Sequence, residues 1–519
     1  MSLIEHFSLL NLSSTITVLD LSGTGYLPES NWSTPLRELV LSHSDFTASI
    51  GNLTKATKIV LRSNQFTGQL PYHSPNSLEE VHLEENQIHG TILSSLFQLV
   101  NLTDLNLSSN DLSGTVRYDL LPELKNLRYL DLSNNRQLSF ISSSNVNIRY
   151  PLPSPWKLRF SYCNITEFPG WKSLTDLDIS NNFLTQIEQR PWKYITVLNL
   201  RNNTIQGTIL VPPPSTRAFL FSNNKLFGQI PPSIPSLSSL EYLSLSHNNL
   251  SGTIPPCLGN FSTQLTILHL NNNFQGRIPD AFANGSCSLR SLDLNSNKLE
   301  GPFPRYLADC DELEVVNVGN NMIALRIIDL SHNEFTGFLP RWIFVSLEAM
   351  KNVDEKASDG LYMQGEEDYY QDSITVTVKG RDVVLKRIIT IFTTIDMSSN
   401  QFQGEIPQVL GDFKSLIVLN LSHNGLTGSI PVSFANMTAL ESLDLSSNQL
   451  HGRIPEQLLS VIALALLNLS YNRLWGRIPR GNQFNTFEND SYIGNIRLCG
   501  EPWTVTCIND AKNASFGFY

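Results

Sequence analysis

The chain is poor in the features that usually mark chemistry. It has six cysteines in 519 residues, none in a C-x-x-C pair. That excludes a disulfide-dense scaffold and a cysteine-ligated zinc site. Charged residues are only 16% of the chain, and the net charge of −11 is spread along it, which removes nucleic acid from the expected partners. No Gly-rich phosphate loop, G-x-S-x-G elbow or H-E-x-x-H pair occurs, so neither an enzyme nor a cofactor or metal is expected. The longest apolar run, Leu458 to Leu469, is about half of the roughly 20 residues a membrane-spanning helix needs. The opening MSLIEHFSLLNLSS has no basic region and no small-residue cleavage site, so no export signal is expected within it.

What the chain does contain is a repeat. The phrase L-x-L-x-x-N recurs, as in Leu105 to Asn110, Leu243 to Asn248, Leu292 to Asn297, Leu419 to Asn424 and Leu443 to Asn448. Nineteen such Asn positions, or stand-ins for them, run from 24 to 472 through 163, 273, 297, 321, 333 and 400, and from 400 onward the spacing is a strict 24. A fixed period of 20–29 residues with this phrase is the signature of leucine-rich repeats. In L-x-L the two leucines share one face of a short strand and the x positions face the other way. One strand cannot bury that face alone, so coils must stack, with the strands in one long parallel sheet. The Asn is expected to satisfy backbone groups at the bend after the strand, its own coil's and its neighbour's. A second phrase, Gly-x-Ile-Pro, follows at Gly228 to Pro231, Gly252 to Pro255, Gly404 to Pro407, Gly428 to Pro431 and elsewhere. Gly permits the bend and Pro ends the short extended stretch.

Two irregularities stand out. Asn333 and Asn400 are 67 residues apart, and the excess, roughly Ser346 to Thr390, opens with seven acidic side chains and two lysines in residues 351–372. Ile374 to Val378 then alternates as a strand does, which predicts an acidic loop followed by a strand pair docked on the stack. Asn321 and Asn333 are only 12 apart, too few residues for a turn around the core, which predicts a missing segment and a poorly packed joint near 321–333.

Cys499 and Cys507 sit eight apart at the end of the array, where an open core needs closing, and are expected to pair. Cys287 and Cys310 occupy nearly equivalent points on adjacent coils and form a second candidate pair; Cys163 and Cys257 are expected to be unpaired. Fifteen N-x-S/T sequons occur. Glycosylation candidates are Asn52, Asn101, Asn260, Asn284, Asn436 and Asn489, whereas Asn106, Asn420 and Asn468 come from the repeat phrase and are expected to be buried in the sheet. His43, His247, His332 and His423 read as solvated turn residues. Asp131, Asp293, Asp329 and Asp444 of the LDLS phrase read as outward residues repeated by descent.

Together the two phrases resemble the plant-type extracellular repeat L-x-x-L-x-L-x-x-N-x-L-x-G-x-I-P. The stretch Tyr369 to Gly380, with Ile391 to Asp396, resembles the island domain of plant leucine-rich-repeat receptor-like proteins. Gly481 to Phe487, Asn489 to Tyr492, Leu498-Cys499-Gly500 and Cys507 resemble that family's C-terminal cap. The resemblance implies an α/β-type repeat solenoid, a superhelix with a parallel β-sheet on its concave face. Leucine-rich repeats would fill 1–345 and an island domain 346–390; four further repeats would fill 391–480, a cap 481–510 and a tail 511–519. It also implies a cell-surface receptor without a kinase, in immune or developmental signalling, which binds a peptide or secreted protein and acts through a partner receptor kinase. Such proteins carry a signal peptide, a cysteine-paired N-cap and a transmembrane helix, none of which is seen here, so the chain reads as a partial ectodomain.

The outward positions Glu80, His82, Glu84, Glu241, Ser244, His269 and Asn271 are the expected ligand contacts. Tyr369, Tyr370, Lys379 and Arg381 of the island, with Val418, Asn420, Ser442 and Asp444 of the last coils, are the expected partner-kinase contacts. The alternatives are a soluble inhibitor or decoy similar to plant polygalacturonase-inhibiting proteins, which lack an anchor, and a non-functional gene fragment.

Overall fold

In the computed structural model the described residues are 17–20, 22, 37–43, 56–70, 77–141, 156–168, 174–187, 192–234, 237–256, 258, 264–279, 288–303, 327–351, 362–363, 374–378, 381–385, 388–389, 392–503, 505 and 507. They fall into two units, Met1–Asn248 and Asn249–Tyr519, built from the same coil.

Each complete coil opens with a three- to five-residue strand that buries its central leucine or its equivalent. In the first unit eleven of these strands, from Val18–Asp20 to Tyr242–Ser244, pair in parallel and in chain order. Leu39, Ile59, Val81, Leu105 and Leu130 sit opposite one another across successive coils. In the second unit Ile267–His269 pairs with Ser291–Asp293, and Ile327–Asp329, Thr394–Asp396, Val418–Asn420, Ser442–Asp444 and Leu466–Asn468 pair in that order. A second short strand follows in most coils and ends near the Gly of the second phrase. Gly428 shows why: its φ is +79°, and a Cβ there would lie 2.8 Å from Glu405 Cγ. Only glycine holds that conformation without strain. The Pro that follows does more than stop the strand. Pro407, Pro431 and Pro455 each accept a hydrogen bond that opens a 3₁₀ turn on the outer side, over Gln408–Asp412, Val432–Asn436 and Glu456–Ser460.

The turn asparagines form a ladder. Asn110 donates from Nδ2 to the carbonyls of Leu107 (3.1 Å) and Ser108 (3.1 Å) in its own coil and Leu83 (2.9 Å) in the one before, while its Oδ1 accepts the Ile88 N–H at 3.0 Å. The pattern repeats at Asn86, Asn182, Asn203, Asn224, Asn424, Asn448 and Asn472. The residue before the rung adopts left-handed φ, as at Ser109 (54°), His247 (54°), His423 (53°) and Tyr471 (51°), a conformation in which Asn, Asp and His are enriched. This backbone requirement accounts for the histidines.

Four details differ from the sequence reading. At 273 the rung is the preceding residue: Asn272 Oδ1 accepts the Leu250 N–H and Asn273 begins the next strand, so this coil is one residue short at its bend. The rung after Asn297 among the described residues is Asn333, which donates to Leu294 at 3.0 Å and accepts from Leu299 at 3.2 Å. The expected joint falls on 304–326, outside the described residues, and the described residues flanking it stack with ordinary ladder distances. The ladder also extends beyond 472. Asn495, fully buried within the cap, donates to Leu469 and accepts the Leu474 N–H. Finally, residues 346–351 belong to a coil and not to an insertion. Helices Arg341–Ser346 and Glu348–Lys351 bury Phe344, Leu347 and Met350, and Met350 accepts the Ser415 N–H. The strands Ile327–Asp329 and Thr394–Asp396 pair directly, so the intervening residues are extra to the stack. Within them Ile374–Val378 and Arg381–Leu385 form an antiparallel pair.

Candidate functional site

The residues free to recognise something are those flanking the buried leucine in each coil strand, because the core does not use them. In the first unit these positions carry charge. Lys58 pairs with Glu80 at 2.5 Å. His82 lies 3.8 Å from Glu84, whose Oε2 receives no hydrogen bond among the described residues; burial holds that carboxyl above its usual range. Glu241 grips Arg217 through both carboxylate oxygens, at 2.8 and 2.7 Å. Ser244 is buried, at 3% exposure.

Between these lies a denser group on the strands Tyr129–Asp131, Trp156–Arg159 and Leu174–Asp178. The register sets Asp131 beside Arg159, Arg159 beside Asp178, and Lys157 between Tyr129 and Asp176. Asp131 accepts the Tyr129 hydroxyl (3.0 Å) and the Ser133 N–H (2.9 Å). Asp178 accepts from Asn199 (2.9 Å) and the Ser180 N–H (2.9 Å). The Arg159 guanidinium stacks over the Tyr129 ring, 5.9 Å from its centroid. Burial raises the Asp131 and Asp176 carboxyls, with Arg159 opposing it at both. Lys157, Arg159 and Asp176 were not among the expected contacts, although outward charges flanking a phrase leucine were the available signal. At Leu158 to Cys163 the phrase ends in Cys instead of Asn and so drew less notice.

In the second unit the outward positions are mostly covered. His269, Asn271, Val418, Asn420 and Ser442 are 8, 4, 2, 7 and 4% exposed, so, as with Ser244, their assignment as open contacts is corrected. Parallel strands about 4.8 Å apart bring the outward side chains of successive coils against each other, and short polar ones bond sideways. His269 Nε2 lies 2.7 Å from Ser291 Oγ. Asn271 donates to Asn295, which donates to Asp329 at 2.8 Å. Asn420 donates to Asp396 at 2.9 Å and Asn468 to Asp444 at 3.1 Å.

The LDLS aspartates have a structural task that the sequence reading missed. Asp329, Asp396 and Asp444 each accept the N–H two residues on, at 2.9 Å, an Asx turn that begins the bend. Asp293 and Asp396 are pushed up to about 7 by burial and by the nearby Asp329, itself raised by burial.

The remaining candidates divide simply. Cys499 and Cys507 are joined, with Cα atoms 5.1 Å apart, and Cys163 is a buried free thiol. Asn101, Asn436 and Asn489 are exposed, Asn420 is buried, and Asn106 and Asn468 are half-buried. Tyr369, Tyr370, Lys379, Cys257, Cys287, Cys310, Asn52, Asn260 and Asn284 lie outside the described residues, as does the Arg381 side chain. Among the described residues no group of acidic, His and Cys side chains could hold a metal ion, and no helix is long and apolar enough to cross a membrane.

Coils, ladder and sheet define a leucine-rich-repeat protein. Family profiles for the leucine rich repeat match residues 263–323 and 392–450, for two copies of the repeat 238–283, and for a single repeat 324–345. The matches therefore stop at 345 and resume at 392. Receptor-like protein 35 of Arabidopsis thaliana is 35% identical over 372 residues, covering 62% of this chain and 39% of that protein. Receptor-like protein 18 of the same plant is 34% identical over 406 residues, covering 66% of this chain and 48% of that protein. On these matches the chain is a plant leucine-rich-repeat receptor-like protein. It spans about two-fifths to a half of the length of the curated relatives it matches. Among solved structures, the ectodomain of the Arabidopsis receptor kinase HAESA, in complex with the peptide hormone IDA and the co-receptor SERK1, superposes with a TM-score of 0.67. It is 23% identical and covers 94% of this chain and 79% of that one, a likeness of fold.

Proposed function

We propose that this chain is the ligand-binding part of a receptor at the plant cell surface. It would recognise a peptide or secreted protein outside the cell in microbial perception, and pass the signal through a partner receptor kinase. The observation that carries this reading is the split behaviour of neighbouring positions. Val81, Leu105, Leu130 and Leu158 stay apolar and buried, while the residues beside them change freely: Glu80 and His82, Asp104 and Asn106, Tyr129 and Asp131, Lys157 and Arg159. A core held constant under a variable face is how a repeat protein acquires binding specificity. The relatives' description as receptor-like proteins supports the receptor reading. The peptide hormone and co-receptor held by HAESA support the kinds of partner.

The insertion and the last coils are the proposed kinase contacts, through Tyr369, Tyr370, Lys379 and Arg381. Of the coil residues, Asp444 is the one left half-open on its strand. The test is a pull-down of the secreted chain with the SERK1 ectodomain, with and without a deletion of residues 352–391. Loss of capture on deletion is expected; full capture after it would discard the role of the insertion.

A further inference from the structure

Asp176 is the least satisfied charge on the inner face of the first unit. It is 6% exposed, yet among the described residues its carboxylate receives no hydrogen bond and lies in no ion pair, whereas the other carboxylates of its group are occupied. Asp131 is held by Tyr129 and Ser133, and Asp178 by Asn199 and Ser180. Arg159, set by the register between Asp131 and Asp178, has its charge balanced by these two and its guanidinium stacked on Tyr129. Asp176's own register neighbours are Lys157 and Val197. The Lys157 ammonium is exposed and makes no ion pair with Asp176, and Val197 offers no donor. A buried carboxylate without donors is costly and is normally paired.

We propose that Asp176 is the anchor of a subsite for a cationic group, the ammonium or guanidinium of a basic residue in a peptide ligand. The ligand cation would enter over the strand Leu174–Asp178, donate to Asp176 and lie against the Val197 side chain. Charge favours this occupant. Asp131, Asp176, Asp178 and the part-buried Glu84 outnumber Lys157 and Arg159 in this region, and the chain as a whole carries −11, which steers basic ligands toward it. Burial also keeps the Asp176 carboxyl above its usual range, with Arg159 and then Lys157 opposing; a donor supplied by a ligand acts in the same sense as those two. Lys157 has the opposite role: it is the competing cation, displaced outward when the ligand binds.

This proposal rests on the peptide-recognition reading above, and the experiment separates the two. A displayed library of random dodecapeptides is selected on the secreted chain, and the winners are resynthesised with acetylated N-termini and measured by calorimetry. Wild type is expected to enrich Lys or Arg at one position. Asp176→Asn should weaken the winners about tenfold, and Lys157→Gln should tighten them about threefold, as removal or addition of one partly buried charge contact would. A merely structural Asp176 would not produce the opposite effect at Lys157. Thermal unfolding of both variants checks the fold. If acetylation alone abolishes binding, a terminal ammonium is the source of the cation, and dependence on Asp176 still supports the subsite. Winners that bind wild type and Asp176→Asn equally overturn it while leaving peptide recognition intact. A selection that enriches nothing counts against peptide recognition itself, and the subsite falls with it.

Discussion

The coils at 393–472 and those at 129–203 solve the same packing problem with unequal regularity. In the later set the rungs fall at 400, 424, 448 and 472, and each outward Asp or Asn on the inner strands finds a partner two residues on or one coil away. In the earlier set the rungs fall at 135, 163, 182 and 203, one of them is a cysteine, and Asp176 has no donor among the described residues. A constant period brings like atoms to like places, so a lateral hydrogen bond made once is made in every coil. An uneven period breaks that repetition and leaves charges available. Regular coils therefore suit stability, and irregular ones can host recognition.

The largest test of this contrast removes a rung from the regular set. Asn448 donates to Leu421, Leu445 and Ser446 at 2.9, 3.2 and 3.1 Å, and accepts the Leu426 N–H at 3.0 Å. Asn448→Ala orphans four buried backbone groups and should cost about 3 kcal/mol, read as a fall in the urea midpoint of the second unit. Cys163→Ala in the irregular set should cost about 1 kcal/mol or less, since a thiol is a weak donor. Equal losses would mean that the ladder does not set the difference.

A smaller effect should appear with pH. Asp293, Asp329 and Asp396 are raised in the folded chain above the ordinary unfolded value of roughly 3.9. The folded state therefore binds their protons more tightly. Their contribution is full below about pH 4 and is lost as pH rises through about 7. Thermal unfolding of the second unit should occur at a higher temperature at pH 5 than at pH 7.5. Asp329→Asn, the residue type that Asn420 and Asn468 already place at this position, should flatten that slope by about 1–2 kcal/mol. An unchanged slope would assign the pH dependence to other groups.

Alternation and the 24-residue period were enough to expect the strands, the stacking and the ladder, because each depends on residues close in sequence. The rest depends on contacts between coils. Nothing local distinguishes Asn272 from Asn273, or shows that Asn333 follows Asn297. Nor does anything local show that Val418 and Ser442, though outward by alternation, are covered. The insertion was visible as a break in period, but its start was set too early, since the apolar Phe344, Leu347 and Met350 pack onto the next coil's Phe413 and Ser415.

The smallest effect, and the sharpest test of the contrast, is repair of the irregular set. Cys163 occupies a rung, its Sγ 3.3 Å from the Leu132 carbonyl and 3.7 Å from that of Ser161. Those are the acceptors an Asn would use, and burial pushes the thiol up to about 12, so it stays a neutral, weak donor. Cys163→Asn places two amide hydrogens where one thiol hydrogen stood, and should raise stability by about 1 kcal/mol, measured as a higher urea midpoint for the first unit. If irregularity is tied to recognition only through the charges it leaves open, the repaired chain should still bind its peptides through Asp176. If instead the variant is less stable than wild type, the 28 residues between positions 135 and 163 hold the bend in a geometry that an amide cannot serve, and cysteine is the residue this coil requires.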